Sequence, residues 1–390
     1  MLREAVTLLK GIQFSGIASG IKASGLDLGL VYFEEPMHVA AVYTSNKVKA
    51  AHILYNRKKV KGPARALLVN SGCANACTGS EGVKDLERIA GALADELRVH
   101  EDEILFASTG VIGRRLPVET IIAALPALKR TLKEKHIDLF ARAIMTTDTY
   151  PKVVQTQVPG KGGGSIAGVA KGAGMINPLI ATMLSFLFTD CSVPSEQIRK
   201  LVPAMARESF ERITVDGDTS TNDTVMLFAH AGSVPVSDSA GFRERLLGLM
   251  RELSFLIVRD GEGATKVLEV IVRGAKSPAD AHKTARAVAV SPLVKTAVHG
   301  GDPNWGRIVQ AIGATSVAYR LEKVTVRLGK DLLFAKAAPA ADLDLARLAE
   351  AMKQPHITLT IDLGAGKAAD RVLTCDLSRE YIAINADYTT

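Results

Sequence analysis

Lys171-Gly-Ala-Gly-Met-Ile-Asn-Pro-Leu-Ile-Ala181-Thr182-Met-Leu-Ser-Phe-Leu-Phe-Thr-Asp190 decides how the rest of the chain is read. Its first part, as far as Pro178, holds two glycines and a proline, which predicts a turn with unusual backbone angles. Its second part, Thr182 to Phe188, is almost continuously apolar and predicts a strand buried on both faces. Thr182 therefore stands where a constrained loop enters the core. Local pattern leaves two readings of its hydroxyl open: a strand-start threonine bonded to a nearby carbonyl, or a nucleophile.

Immediately upstream, Pro159-Gly-Lys-Gly-Gly-Gly-Ser165 predicts a hairpin connection into a strand at 166–170. The glycines lack the GxxxxGK[ST] order, so this is no phosphate loop. Ile144-Met-Thr146-Thr-Asp148-Thr149-Tyr-Pro151-Lys152 sets three threonines and an aspartate beside a strand start, a pattern that fits capping or ligand contact. Further back, Ile104 to Ser108 predicts a short strand ending in Thr109-Gly110. That pair reads either as a plain strand-to-helix turn or as a hydroxyl and an N–H able to hold an oxyanion.

Downstream, Val215-Asp-Gly-Asp218-Thr-Ser-Thr-Asn-Asp223 gathers acidic and hydroxyl residues ahead of a strand at 224–229. It lacks the order of an EF-hand loop and its closing glutamate, so no metal is expected. Gly261-Glu262-Gly263 presents a glutamate on a backbone able to approach a ligand closely, or a solvated turn.

The remaining pattern alternates strands with helices. Strands are predicted at 28–35, 38–45, 66–70, 267–272, near 323–335, 356–363 and 370–376. Helices are predicted at 80–98, 117–136, 195–210, 242–257, 279–290 and 342–353. Pro126 is expected to kink or split the helix at 117–136. The single tryptophan, Trp305, reads as a core anchor, and the apolar, amide-bearing end from Tyr381 as a docked tail.

Composition excludes several function classes. The 390 residues are 47% hydrophobic and 23% charged, an ordinary globular balance. The net charge of +7 is spread out, and the densest basic run, Arg57-Lys58-Lys59 with Lys61, has no interleaved aromatics, so nucleic-acid binding is not expected. No apolar run approaches the ~20 residues of a membrane helix, and Met-Leu-Arg-Glu-Ala-Val opens without the pattern of a secretory signal. A cytoplasmic protein without membrane attachment is expected. Cys73 and Cys77 are one residue too far apart for a CxxC site, so the cysteines read as reduced thiols.

Three blocks together carry a resemblance: Lys171 to Leu184, Val215 to Asp223, and Asp302-Pro-Asn-Trp-Gly-Arg307. The chain resembles the arginine-biosynthesis ornithine acetyltransferase (glutamate N-acetyltransferase) family from Gly20-Ile-Lys22 to the final Thr-Thr. It departs where the family has asparagine in place of Cys73.

The resemblance implies an α/β fold, an α-β-β-α layered sandwich of the self-cleaving ornithine acetyltransferase and aminopeptidase type with an N-terminal-nucleophile-like site. It implies cleavage between Ala181 and Thr182, leaving an alpha chain, 1–181, and a beta chain, 182–390, that begins with the nucleophile. Thr109 and Gly110 take the oxyanion hole; Thr146, Lys171, Thr182, Glu262, Asn385 and Thr390 take substrate contact. The implied reaction carries acetyl from N2-acetylornithine to L-glutamate without a cofactor, in a heterotetramer of two chains of each kind. Whether acetyl-CoA is a second donor stays open. The rival readings are a related self-processing aminopeptidase or amidohydrolase, and a binding protein that keeps the scaffold.

Overall fold

The longest strand organises the first half of the molecule. β1 (Ile12–Ile17) and β2 (Leu28–Tyr43) form an antiparallel pair. The first half of β2 lies between β1 and β3 (Ala64–Asn70), and its second half pairs with β8 (Thr224–His230). The two strands predicted at 28–35 and 38–45 are therefore one. Pro36 falls where the pairing with β3 shifts register, between Tyr32 and Met37, a place that needs no proline N–H.

This computed structural model describes residues 9–160, 163–177, 183–232 and 239–387. They form two compact units. The first comprises the described residues as far as Glu211, with Asp218–Ile257; the second comprises Arg212–Gly217 and the described residues from Val258 onward. The first unit draws on both sides of the expected cleavage point, so that covalent division is not a division between compact units.

In the first unit the remaining elements are α1 (Ala51–Lys59), α2 (Gly79–Leu97), β4 (Ile104–Ser108), α3 (Val118–Arg130), α4 (Ile137–Ala143), β5 (Lys152–Val158), β6 (Gly164–Lys171), β7 (Leu184–Ser192), α5 (Ser195–Glu208) and α6 (Ser239–Arg259). The sheet order is β4-β3-β2-β8-β7-β6-β5, with β1 beside β2. Strand alternation gives the sheet two apolar faces. Val31, Phe33, Phe186, Phe188 and Phe228 pack with Phe140 of α4, where Phe188 and Phe228 stack at 5.6 Å. Leu28, Leu30, Leu68 and Phe106 face α1, α2 and α3 instead. α3 runs through Pro126 without splitting and stops at Arg130, six residues short of the expected end.

In the second unit β9 (Val267–Ala275) is followed by α7 (Pro278–Ala289), α8 (Pro292–Gly300), α9 (Trp305–Gly313), β10 (Thr325–Leu328), β11 (Asp331–Ala335), β12 (Ala338–Pro339), α10 (Leu345–Met352), β13 (His356–Asp362), β14 (Ala368–Cys375) and α11 (Arg379–Asp387). The sheet runs β12-β11-β10-β13-β9-β14.

Besides α11, two of these helices, α8 and α9, were not expected from the sequence. Each starts on a side-chain cap, Ser291 to the Val294 N–H and Asn304 to the Arg307 N–H. Trp305 stacks on Phe334 at 5.5 Å, as a core anchor should. Of the expected docked tail, the described part, α11, touches the Glu262 turn through Asn385 but has no buried residue, and Ile382 is 65% exposed.

The α/β class implied by the resemblance is thus met, with two mixed sheets carrying helices. No described helix is long and apolar enough to cross a membrane.

Candidate active site

Ala181, Thr182 and Thr390 lie outside the described residues. Met183, the first described residue after Thr182, leads into β7.

Lys171, the last residue of β6, is buried. Its ammonium donates to Thr146 Oγ1 at 2.8 Å and to Thr109 Oγ1 at 3.1 Å. Three residues singled out from separate stretches of sequence therefore meet at one nitrogen. A hydroxyl that accepts from an ammonium keeps its single hydrogen for another acceptor. Both threonines are thus set up as donors.

The turn carrying Thr109 is rigidly placed. The Thr109 N–H donates to the Asn70 carbonyl at 3.0 Å. Gly110 has φ +130°, and a Cβ there would lie 2.4 Å from the Gly72 carbonyl carbon and 2.5 Å from the Cys73 nitrogen. Only glycine lets these two backbones touch. Among the described residues no acceptor meets the Gly110 N–H. Asn222 fixes the same turn, donating from Nδ2 to the Ser108 and Ala74 carbonyls at 2.7 Å each.

Asp148 braces the backbone on both sides of this lysine's contacts, at Gly172 and at Thr146. Asp148 Oδ1 accepts from Lys152 Nζ and from the Gly172 N–H, both at 2.7 Å, and Oδ2 accepts from the Thr146 N–H at 3.1 Å. One carboxylate thereby ties the start of β5 and the end of β6 to the Thr146 loop. Burial alone would raise its pKa, but Lys152, Lys171 and the Gly172 N–H outweigh burial and bring it to about 2.

A small cavity, about the size of one water molecule, is lined by Thr109, Lys171, Met183, Leu184, Asn222 and Asp223. Asp223 is fully buried, and its Oδ1 accepts the Met183 N–H at 3.1 Å. Burial pushes its pKa well above the usual carboxylate range despite that bond and the Lys171 charge. Ser220, Thr221 and Asn222 are buried with it, so the end of the 215–223 block is a hydrogen-bonded loop beside this cavity. No group of histidine, cysteine or acidic side chains placed to hold a metal occurs among the described residues.

The other expected site residues belong to the second unit. Asn385 of α11 donates from Nδ2 to Glu262 Oε2 at 2.8 Å, so these two are brought together. Gly263, at φ +66°, packs so closely on the Tyr381 nitrogen that a Cβ would lie 2.5 Å away. The Glu262 turn is therefore shaped by α11.

Sequence reasoning assigned no role to Asp148, Lys152, Asn222 or Asp223. A signal existed for the first pair: an aspartate and a lysine four residues apart, across Tyr150-Pro151 and next to a strand, have little reason to be buried except as partners. Nothing local marks Asp223 apart from the other acids of its loop.

A model of the ArgJ family matches residues 13–390. The arginine biosynthesis bifunctional protein ArgJ of Geobacter sulfurreducens is 44% identical, across 98% of this chain and 100% of that protein. Its namesake in Deinococcus radiodurans is 42% identical, across 99% and 98%. Among solved structures, the arginine biosynthesis bifunctional protein argJ of Bacillus halodurans aligns with a TM-score of 0.50 at 35% identity, covering 53% of this chain and 100% of that one.

Proposed function

This chain belongs to the ArgJ family, and on that premise we propose that it moves acetyl from N2-acetylornithine to L-glutamate through Thr182, after cutting itself before that residue. The enzyme is an acetyltransferase of arginine biosynthesis; the route through Thr182 is our reading.

In the maturation step the Thr182 hydroxyl adds to the Ala181 carbonyl, and the acyl group passes from nitrogen to oxygen. The hydroxyl proton ends on the nitrogen. Water then hydrolyses the ester and leaves Thr182 with a free α-amino group, whose reference pKa of about 8 suits a base for its own hydroxyl. In turnover that hydroxyl attacks the acetyl carbonyl of N2-acetylornithine, Thr109 Oγ1 and the Gly110 N–H receive the oxyanion, and ornithine leaves with the proton. The neutral amine of glutamate attacks the acetyl ester, and the proton it loses returns to Thr182.

Lys171 keeps the Thr109 hydrogen turned toward the oxyanion and, with Thr146, Glu262, Asn385 and Thr390, holds the charged ends of the two amino acids. No cofactor enters this cycle. Acetyl-CoA reaching the same threonine would make the enzyme a source of new acetylglutamate as well. The working particle is two alpha chains (1–181) and two beta chains (182–390).

The observation that carries the reading is the Lys171 ammonium shared by Thr109 and Thr146 on the wall of a cavity that also includes Met183. The half-length chain of the Bacillus halodurans relative gives it further support, since a cleaved piece has that length.

Mass spectrometry of the purified protein with N2-acetylornithine is the test. The expected result is pieces of 181 and 209 residues (390 less 181), with one acetyl group on the piece that begins at Thr182. Thr182→Ala should leave one uncut, unacetylated chain, while Thr182→Ser should cut and turn over slowly. An uncut chain that exchanges acetyl at full rate would sink the proposal. Steady acetate release without an amine acceptor would place the protein with the water-using self-processing aminopeptidases instead.

A further inference from the structure

The acetyl cycle makes no use of Asp223, yet its carboxyl stands at the centre of the machinery. Oδ1 accepts the Met183 N–H at 3.1 Å, and the N–H of the next residue, Thr224, donates to the Met183 carbonyl at 3.0 Å. Two consecutive residues at the head of β8 thereby hold both backbone groups of the residue that follows Thr182. The second oxygen, Oδ2, is buried and has no hydrogen-bond partner among the described residues. The same side chain lines the cavity with Thr109 and Lys171.

A carboxylate in that position would be a stronger acceptor for the Lys171 ammonium than either hydroxyl, and would draw it off Thr109 and Thr146. A carboxylic acid would not, and it would still offer a carbonyl oxygen to Met183. We propose that Asp223 is a positioning residue that works in its uncharged form: it fixes the entry to β7 and, by withholding a negative charge, leaves Lys171 committed to the two threonines. This deepens the acyl-transfer reading and rests on it.

The surroundings are consistent with an uncharged acid. Burial is the dominant influence on Asp223 and opposes ionisation, outweighing the Thr44 and Ser220 side chains, the Met183 N–H and the Lys171 charge, all of which favour the charged form. Lys171, at the end of β6, lines the same cavity, and Asp148 and Lys152 form a buried ion pair. From α1, His52 meets Thr224 Oγ1 at 3.0 Å, and its own burial brings its pKa down to about 3, so it adds no charge at neutral pH. The Thr44 hydroxyl, close by, is engaged with the Ser220 carbonyl. Raising the pH should therefore ionise Asp223, pull Lys171 away and depress turnover.

The test compares full-length wild type with Asp223→Asn in acetyl transfer from N2-acetylornithine to glutamate, from about pH 6 to about pH 10. Asparagine keeps an oxygen for the Met183 N–H and cannot ionise. The expected result is a kcat about fivefold lower at neutral pH, an unchanged KM, and loss of the alkaline fall seen in wild type. An alkaline limb identical in both proteins would assign that titration to another group and overturn the inference.

Infrared spectroscopy of the wild type supplies a check that needs no variant. The carbonyl stretch of an uncharged carboxylic acid should persist where exposed carboxylates are ionised, and should fade in step with turnover. Its absence at neutral pH overturns the inference even if Asp223→Asn fails to fold. If the wild type transfers no acetyl at all, the acyl-transfer reading is what has failed, and the infrared band still decides the state of Asp223.

Discussion

Asp148 and Asp223 both feel the charge of Lys171, both are buried, and their titrations are driven in opposite directions. Asp148 lies in the loop before β5, four residues from Lys152, whose side chain is itself fully buried at 2.7 Å. It also collects two backbone N–H groups. Asp223 ends the loop before β8 with one backbone N–H and, among the described residues, no paired cation. Burial acts on both in the same sense, so the contrast lies in the partners. One acid is a structural anion that braces the lysine, and the other must stay uncharged to leave that lysine alone.

Lys152→Met probes this contrast most severely. It strips Asp148 of its own cation inside the protein and should cost about 3–5 kcal/mol in urea denaturation. Adding Asp148→Asn should recover a good part of that loss, because both charges are then gone. A single-variant cost below about 1 kcal/mol would mean that Lys152 is not what separates the two acids.

Thr109→Val asks what the braced lysine is for. It should lower kcat about 100-fold, with KM little changed, when the acetyl transfer is followed at steady state. Thr146→Val, on the other hydroxyl of the same ammonium, should act mainly on KM. Equal effects on both parameters in both variants would erase the distinction between the two threonines.

Acid titration is expected to move the stability by less. Asp148 has its folded pKa depressed to about 2 from 3.8. Its stabilisation is therefore complete above the unfolded value and is lost as pH falls through the folded one, in all about 2 kcal/mol. Denaturation curves of Asp148→Asn should lack this acid slope. Asp223 has the opposite sign: its contribution is complete below 3.8 and declines as pH rises toward its higher folded value. Asp223→Asn should flatten that decline.

Asn385→Ala should have the smallest effect on folding, about 1 kcal/mol or less, because α11 is a surface helix and Glu262 loses a single bond. Its effect on KM for either amino acid tests the substrate role proposed for that pair.

Much of this was legible without coordinates. Apolar periodicity placed α2 at Gly79–Leu97 against an expected 80–98, and the run after Thr182 becomes β7. Thr109, Thr146 and Lys171 were all singled out, as were Glu262 and Asn385. The misses have physical causes. α8 and α9 are short helices of nine residues each, opened by Ser-Pro and Asn-Trp steps, which resemble loop wording. β2 continues through Glu34-Glu35-Pro36 because its two halves have different partners, which no local pattern shows.

The sequence by itself determined most of the elements, because hydrophobic period and turn chemistry act over a few neighbouring residues, while the family and the site residues came from the resemblance of three long blocks. Only the tertiary structure decided which of the acids carries charge. Lys171 reaches Thr109 across 62 residues of chain, and Asp223 reaches Met183 across 40. Ionisation depends on burial and on the charges within a few ångströms, and those come from parts of the chain that only folding brings together.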